Sequence, residues 1–104
     1  MKYLIQWSSL PEKRMEGLAM FANTDIAGMD AMGESMGVKT VVRYHLSNMN
    51  GFAVVEAETQ AAVTQFCLPW MSVNNISIDP VMSDEQFQSS AKNALEMMAA
   101  MAEG

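Results

Sequence analysis

The sequence predicts an α+β fold, one antiparallel sheet with helices on a single face, and three observations carry that prediction. Two short runs rich in β-branched and aromatic residues, Val38 to Leu46 and Phe52 to Ala57, flank an Asn50-Gly51 pair and read as a β-hairpin. Two capping boxes, Ser9-Leu10-Pro11-Glu12 and Ser83-Asp84-Glu85-Gln86, each precede apolar residues at helical spacing. The chain has 104 residues, half of them hydrophobic and 17% charged, which suits one packed domain spanning 1–104 and not a disordered segment.

Taken in order, Lys2 to Trp7 alternates and is aromatic and β-branched enough for a first strand. Pro11, inside the first turn where its missing N–H costs nothing, opens a helix over Pro11 to Ala22 with Met15, Leu18, Ala19 and Ala22 as its apolar stripe. Asn23 to Gly37 interleaves Gly28, Gly33 and Gly37 with Met29, Met32 and Met36, and leaves room for a short helix starting after Thr24. Val38 to Leu46 is the strongest strand, and Ser47 to Gly51 connects it to Phe52–Ala57 through a type I′ Asn-Gly turn. Thr59 caps a second helix with the stripe Val63, Phe66, Cys67 and Trp70, which Pro69 ends or kinks near Cys67 because its ring clashes with the Gln65 carbonyl. Ile76 to Met82 is a fourth strand, placed at a sheet edge by Pro80. Phe87, Ala91, Ala94, Leu95 and Met98 form the stripe of a closing helix over about 84–103.

The order β-α-β-β-α-β plus an extra helix is the ferredoxin-like arrangement, with one sheet face left for solvent, a ligand or a second copy. Side-chain parity across the hairpin assigns the faces. A two-residue turn places His45 opposite Glu56 and sets Arg43, His45, Glu56 and Asp79 on the open face. Val42, Tyr44, Ala53, Val55 and Ala57 then lie beneath the helices. A three-residue loop or a bulge exchanges the two faces.

Composition narrows the function classes. Twelve acidic residues against six basic ones give a net charge of −6, which excludes wrapping of nucleic acid or docking on an anionic membrane. Cys67 is the only cysteine, so no disulfide forms within the chain and a reducing cytoplasm is expected. The apolar N-terminal run is too short for a signal peptide, and the uncharged stretch from Thr59 to Ile78 holds Gln60, Gln65, Pro69, Asn74 and Asn75, which a hydrocarbon core does not tolerate together.

The runs Lys2-Tyr3-Leu4-Ile5-Gln6-Trp7, Val41-Val42-Arg43-Tyr44-His45, Gly51-Phe52-Ala53-Val54-Val55-Glu56-Ala57 and Ile76-Ser77-Ile78-Asp79-Pro80-Val81 occur in the same order as in a family of small bacterial domains. The chain resembles that family, the domain-of-unknown-function family 3303, from Lys2 to about Phe87. The resemblance implies membership of the dimeric α+β barrel group, in which two ferredoxin-like sheets pack face to face around a cavity. It further implies that His45 is the family's strand-end histidine, Trp70 its aromatic residue after the second helix and Glu56 its strand glutamate. Two departures stand out: the Asn23–Gly37 segment is longer and richer in methionine, and Pro69 precedes Trp70.

Each candidate residue carries a chemical reading and a plainer one. His45 near Glu56 and Arg43 suits a general base held by a carboxylate, or a haem or metal ligand; its more ordinary role is in a polar cluster closing a dimer interface. Arg43 suits a bidentate contact to a substrate carboxylate, or an ion pair with Glu56 or Asp79. Trp7 and Trp70 suit a pocket wall or the core, and Cys67 falls on an apolar stripe and reads as core. One histidine and one cysteine make no zinc site, so no metal is expected. The methionine spacings of Met29-x-x-Met32-x-x-x-Met36 and Met98-x-x-Met101 match copper(I) thioether sites, but at helical spacing they are ordinary packing. No phosphate-binding glycine loop is present.

Two functional readings remain. The first is a homodimer with a small-molecule site on the open sheet face between subunits, lined by Arg43, His45, Glu56, Asp79, Trp7 and Trp70. By fold-level analogy such a site supports cofactor-free oxygenation, isomerisation or haem chemistry. The alternative is a non-enzymatic dimeric interaction domain with no ligand.

Overall fold

The computed structural model describes residues 1–103. Strand β1 runs Lys2–Ser9, followed by a 3-10 turn Pro11–Lys13 and helix α1, Arg14–Ala22. Helix α2, Ile26–Ser35, precedes β2, Lys39–His45, and β3, Gly51–Glu56. Helix α3, Gln60–Cys67, passes through a 3-10 turn Leu68–Ser72 into β4, Asn74–Val81, and α4 spans Asp84–Glu103. The four strands form one sheet in the order β2-β3-β1-β4, with every neighbouring pair antiparallel. This is the α+β, ferredoxin-like order expected from the sequence, with the proline-bearing β4 at an edge.

Local chemistry explains most element ends. The Thr59 hydroxyl accepts from the Ala62 N–H at 3.2 Å, and Ser83 and Gln86 exchange the two bonds of a capping box at 2.9 and 3.2 Å. The α-helical part of α3 stops at Cys67, before Pro69. Helix α2 closes on Gly37 at φ +83, with the Gly37 N–H bonded to the Glu34 carbonyl and the Val38 N–H to the Gly33 carbonyl. That left-handed cap ends α2 and launches β2, so the glycines of this segment terminate a three-turn helix instead of dissolving it.

Three local expectations are corrected. Ser9 caps nothing, because β1 continues through it to pair with Asn74 and the turn that follows is 3-10. The 3-10 turn advances each residue by 120° where an α-helix advances 100°, which rotates α1. Its inner edge is therefore the half-buried Gly17 and Met20, while Met15, Leu18, Ala19 and Ala22 are exposed. The third correction decides the faces. The Met49 N–H donates to the Leu46 carbonyl at 3.1 Å and the Leu46 N–H to the Asn50 carbonyl at 2.8 Å, which closes a three-residue loop, Ser47 to Met49. The left-handed residue is Met49 at φ 69, and Gly51 lies within β3.

With an odd loop, His45 pairs with Gly51 and Arg43 with Ala53. A bulge between Thr40 and Val42 then shifts the ladder by one residue and brings Thr40 onto the same face as Arg43. Arg43 and His45 therefore point beneath the helices with Ala53, Val55, Ile5 and Trp7, while Val42, Tyr44, Phe52, Val54 and Glu56 share the open face.

The core between sheet and helices contains Tyr3, Ile5, Val38, Ala53, Val55, Ala57, Val63 and Cys67. Its fully buried side chains are all valines: Val38, Val55, Val63 and Val73. Helix α4 stands apart from this core. Apart from the half-buried Ala91 all its residues are exposed, and the Cα radius of gyration is 17.9 Å against about 13 Å for a compact 100-residue chain. No helix among the described residues is long and apolar enough to cross a membrane.

Candidate functional site

Between the sheet and helices α1 and α3 lies a cavity of about 340 Å³. Its floor is the helix-side face of the sheet, where Ile5, Trp7, Ala53 and Val55 contribute side chains. Phe21 and Leu18 of α1 and Phe66 of α3 form the opposite wall, with Met29 of α2 and Met49 of the hairpin loop also at its edge. Apart from Tyr3, the buried core is built from aliphatic side chains and Cys67, while Trp7, Phe21, Phe66 and Trp70 stand around the cavity.

Trp7 reaches its place through Gly51. The two residues are cross-strand partners, and a β-carbon on Gly51 would overlap the indole ring and the Tyr44 carbonyl oxygen. The glycine read as a turn residue in fact seats a tryptophan, a close approach that only a missing side chain permits. From there the indole meets His45 edge-on at a centroid separation of 5.5 Å. His45 lies 4.7 Å from Phe21, which lies 6.1 Å from Trp70. The four rings form a continuous chain from β1 through β2 and α1 to the turn after α3. Pro69 breaks α3 and leaves Trp70 in the 3-10 turn, where it closes one end of that chain.

Arg43 supplies the charge. Its Nη2 donates to Asp30 Oδ1 of α2 at 2.6 Å and approaches Thr40 Oγ1 at 3.5 Å. The arginine side chain is 15% exposed and the aspartate 40%, so the pair is half sheltered and holds α2 against the edge strand. Cys67 also borders the cavity, and burial pushes its thiol up to about 11. It is a neutral, weakly nucleophilic group at neutral pH.

Four of the six residues singled out in the sequence, Arg43, His45, Trp7 and Trp70, thus line one cavity. Glu56 and Asp79 do not join them. Glu56 lies on the other face of the sheet, 3.9 Å from Lys2, and Asp79 faces the same way opposite Leu4. Without Glu56, His45 has aromatic neighbours and, among the described residues, no carboxylate partner. The expected shared face is corrected accordingly: the three-residue loop turns Arg43 and His45 to the helix side of the sheet, where Arg43 is half-buried and His45 remains exposed. Asp30 and Phe21 were not singled out beforehand. Asp30 sits in a glycine-rich segment where no sequence signal pairs it with Arg43, and Phe21 falls outside the stripe that ideal helical spacing selects. Among the described residues no group of three or more His, Cys, Asp or Glu side chains is placed to hold a metal ion.

The fold and cavity define a ferredoxin-like α+β domain with an aromatic-lined pocket on the helix side of its sheet. Its sequence matches the family described as Domain of unknown function (DUF3303) over residues 1–95, and the chain belongs to that family. No curated protein matches the chain.

Proposed function

We propose that the protein binds a small, mostly apolar molecule in the cavity of each protomer, between sheet and helices. The observation that carries this reading is a 340 Å³ space bordered by His45, Arg43 and four large aromatic rings in a domain whose fully buried side chains are all valines. Its lining includes the exposed Leu18, His45 and Leu46, so the space is open to solvent. An apolar aromatic lining holds water poorly and favours a ligand that displaces it. The volume is at the low end for ligand sites, which favours one or two fused rings over a haem, and His45 is already flanked by Phe21 and Trp7.

The test is a thermal-shift and native mass spectrometry screen of monocyclic and bicyclic compounds, repeated on His45→Ala and Trp70→Ala. Binding that weakens tenfold or more in both variants, with the circular dichroism spectrum unchanged, supports the reading. Equal binding to both variants overturns it.

We also propose a homodimer, and two uncovered apolar surfaces in one chain support it. Leu4, Val42, Tyr44, Phe52 and Val54 share the open sheet face, and Phe87, Leu95 and Met98 line a helix that nothing in its own protomer covers. In proteins most of a helix's stability comes from packing its amphipathic face, and α4 has almost no such packing within its own protomer. A two-fold pairing with a second copy covers both surfaces at once, since an isologous interface presents the same patches from each side. Light scattering should then report a dimer, and Phe52→Asp or Leu95→Asp should shift it to monomer. A wild-type monomer at micromolar concentration would rule the dimer out. The single cysteine, buried and protonated, is consistent with a reducing cytoplasm as the working compartment.

A further inference from the structure

The lining of the cavity is apolar nearly throughout, and its one permanently charged side chain is Arg43. That guanidinium is 15% exposed, yet only Nη2 has protein partners among the described residues, Asp30 and Thr40. Among the described residues no polar side-chain atom is both sealed from solvent and unpartnered. The Nε and Nη1 donors are therefore accessible, and Arg43 borders the cavity. Unspent N–H groups on a largely buried cation beside an apolar space select a ligand that brings an oxygen acceptor of its own.

The chemical class follows from what surrounds this donor. No lysine borders the cavity, so a single cation must satisfy the ligand's charge, which suits a monoanion better than a phosphate. Asp30 already offsets part of the arginine's charge, which further limits how much negative charge the site accepts. Away from Arg43, the rings of Trp7, Phe21 and Trp70 present faces and edges to a flat apolar body. The volume admits one ring or two fused ones.

We propose that the cavity takes an aromatic monocarboxylate, its carboxylate accepting from Arg43 and its ring packed against Trp7, Phe21 and Trp70. This rests on the reading of the cavity as a ligand site and names the ligand's class. Asp30 is the positioning residue: it fixes the guanidinium through Nη2 and competes with the ligand for it.

Calorimetric titration of the full chain with benzoate, phenylacetate and 2-naphthoate, each against its neutral amide, tests the class. The acids should bind about tenfold or more tightly than the amides, and Arg43→Gln should abolish that preference while leaving amide binding. Asp30→Asn should strengthen acid binding several-fold and leave amide binding unchanged, a response that a purely structural ion pair would not give. Amides that bind as well as acids overturn the carboxylate assignment and leave the cavity as a ligand site. If neither series binds wild type or Asp30→Asn, this assignment and the ligand-site reading both fall. Should Arg43→Gln fail to fold, the wild-type acid-to-amide ratio and Asp30→Asn still decide the matter.

Discussion

Gly51→Ala is the sharpest probe of how this site is built. A β-carbon at position 51 would lie 2.6 Å from both Trp7 Cε2 and the Tyr44 carbonyl oxygen. Carbon atoms in comfortable contact stand about 3.5–4.0 Å apart. The strand cannot slide away, because Gly51 is paired on one side with Trp7 and on the other with His45. The indole must therefore leave its seat. Overpacking of this kind costs about 1–3 kcal/mol. Losing the edge-on contact between Trp7 and His45 adds about 0.5–1.5 kcal/mol. The sum, roughly 1.5–4.5 kcal/mol, corresponds to a fall in Tm of about 6 °C or more for a domain of this length.

Urea unfolding followed by tryptophan emission gives both the cost and its origin, since Trp7 and Trp70 are the only two reporters. Gly37→Ala is the matched control. Its φ is +83 and nothing lies within 4 Å of the added carbon, so it pays only the left-handed backbone cost, about 1–2 kcal/mol, with folded-state emission unchanged. Gly51→Ala should shift the folded-state emission as well as the midpoint. A Gly51→Ala protein within 0.5 kcal/mol of wild type, or one with unaltered emission, would refute the seating of Trp7 on Gly51.

Further outcomes follow from individual contacts. Thr59→Ala removes the hydroxyl that caps α3 and should cost about 1 kcal/mol in chemical denaturation. Cys67, raised from 9.0 to about 11 by burial, favours the folded state while its thiol is neutral. That contribution is complete below pH 9 and is lost as pH climbs through 11, so Cys67→Ala should lose less stability than wild type across that window. The same thiol, buried and neutral at pH 8, should react with a disulfide reagent far more slowly than a free cysteine. Glu56→Gln breaks an exposed contact to Lys2 and should change stability by less than about 1 kcal/mol, without altering ligand affinity.

The element order was legible because it rests on local signals. Thr59, Ser83, Pro69 and Pro80 each act within a few residues of themselves, and each does in the structure what its chemistry requires. The faces were not legible, because they depend on counting. Asn50-Gly51 is the preferred pair for a two-residue turn, yet here Asn50 accepts from the Ser9 N–H at 3.1 Å and Gly51 makes way for Trp7. A tertiary demand for space at position 51 overrode the turn preference, and the loop closed through Met49 instead. That single residue of difference inverted every side chain of β2 above the bulge. Arg43, His45, Trp7 and Trp70 were identifiable by type, while Asp30 could not be found without knowing that α2 lies against β2.

The inversion also separates two properties that a shared face would have tied together. With His45 and Glu56 on one surface, closing a dimer and binding a ligand would involve the same residues, and any variant would disturb both. In the observed register the sheet stands between them: Phe52 and Val54 face outward, and their neighbours Gly51, Ala53 and Val55 face the cavity side. Phe52→Asp therefore should produce a monomer that keeps its affinity for a ring compound, provided α1 and α2 hold their places without the partner. His45→Ala should do the reverse, keeping the dimer while weakening the ligand. Loss of both properties in either variant would mean that the ligand reaches across the interface, which the position of Arg43 and His45 beneath the helices argues against.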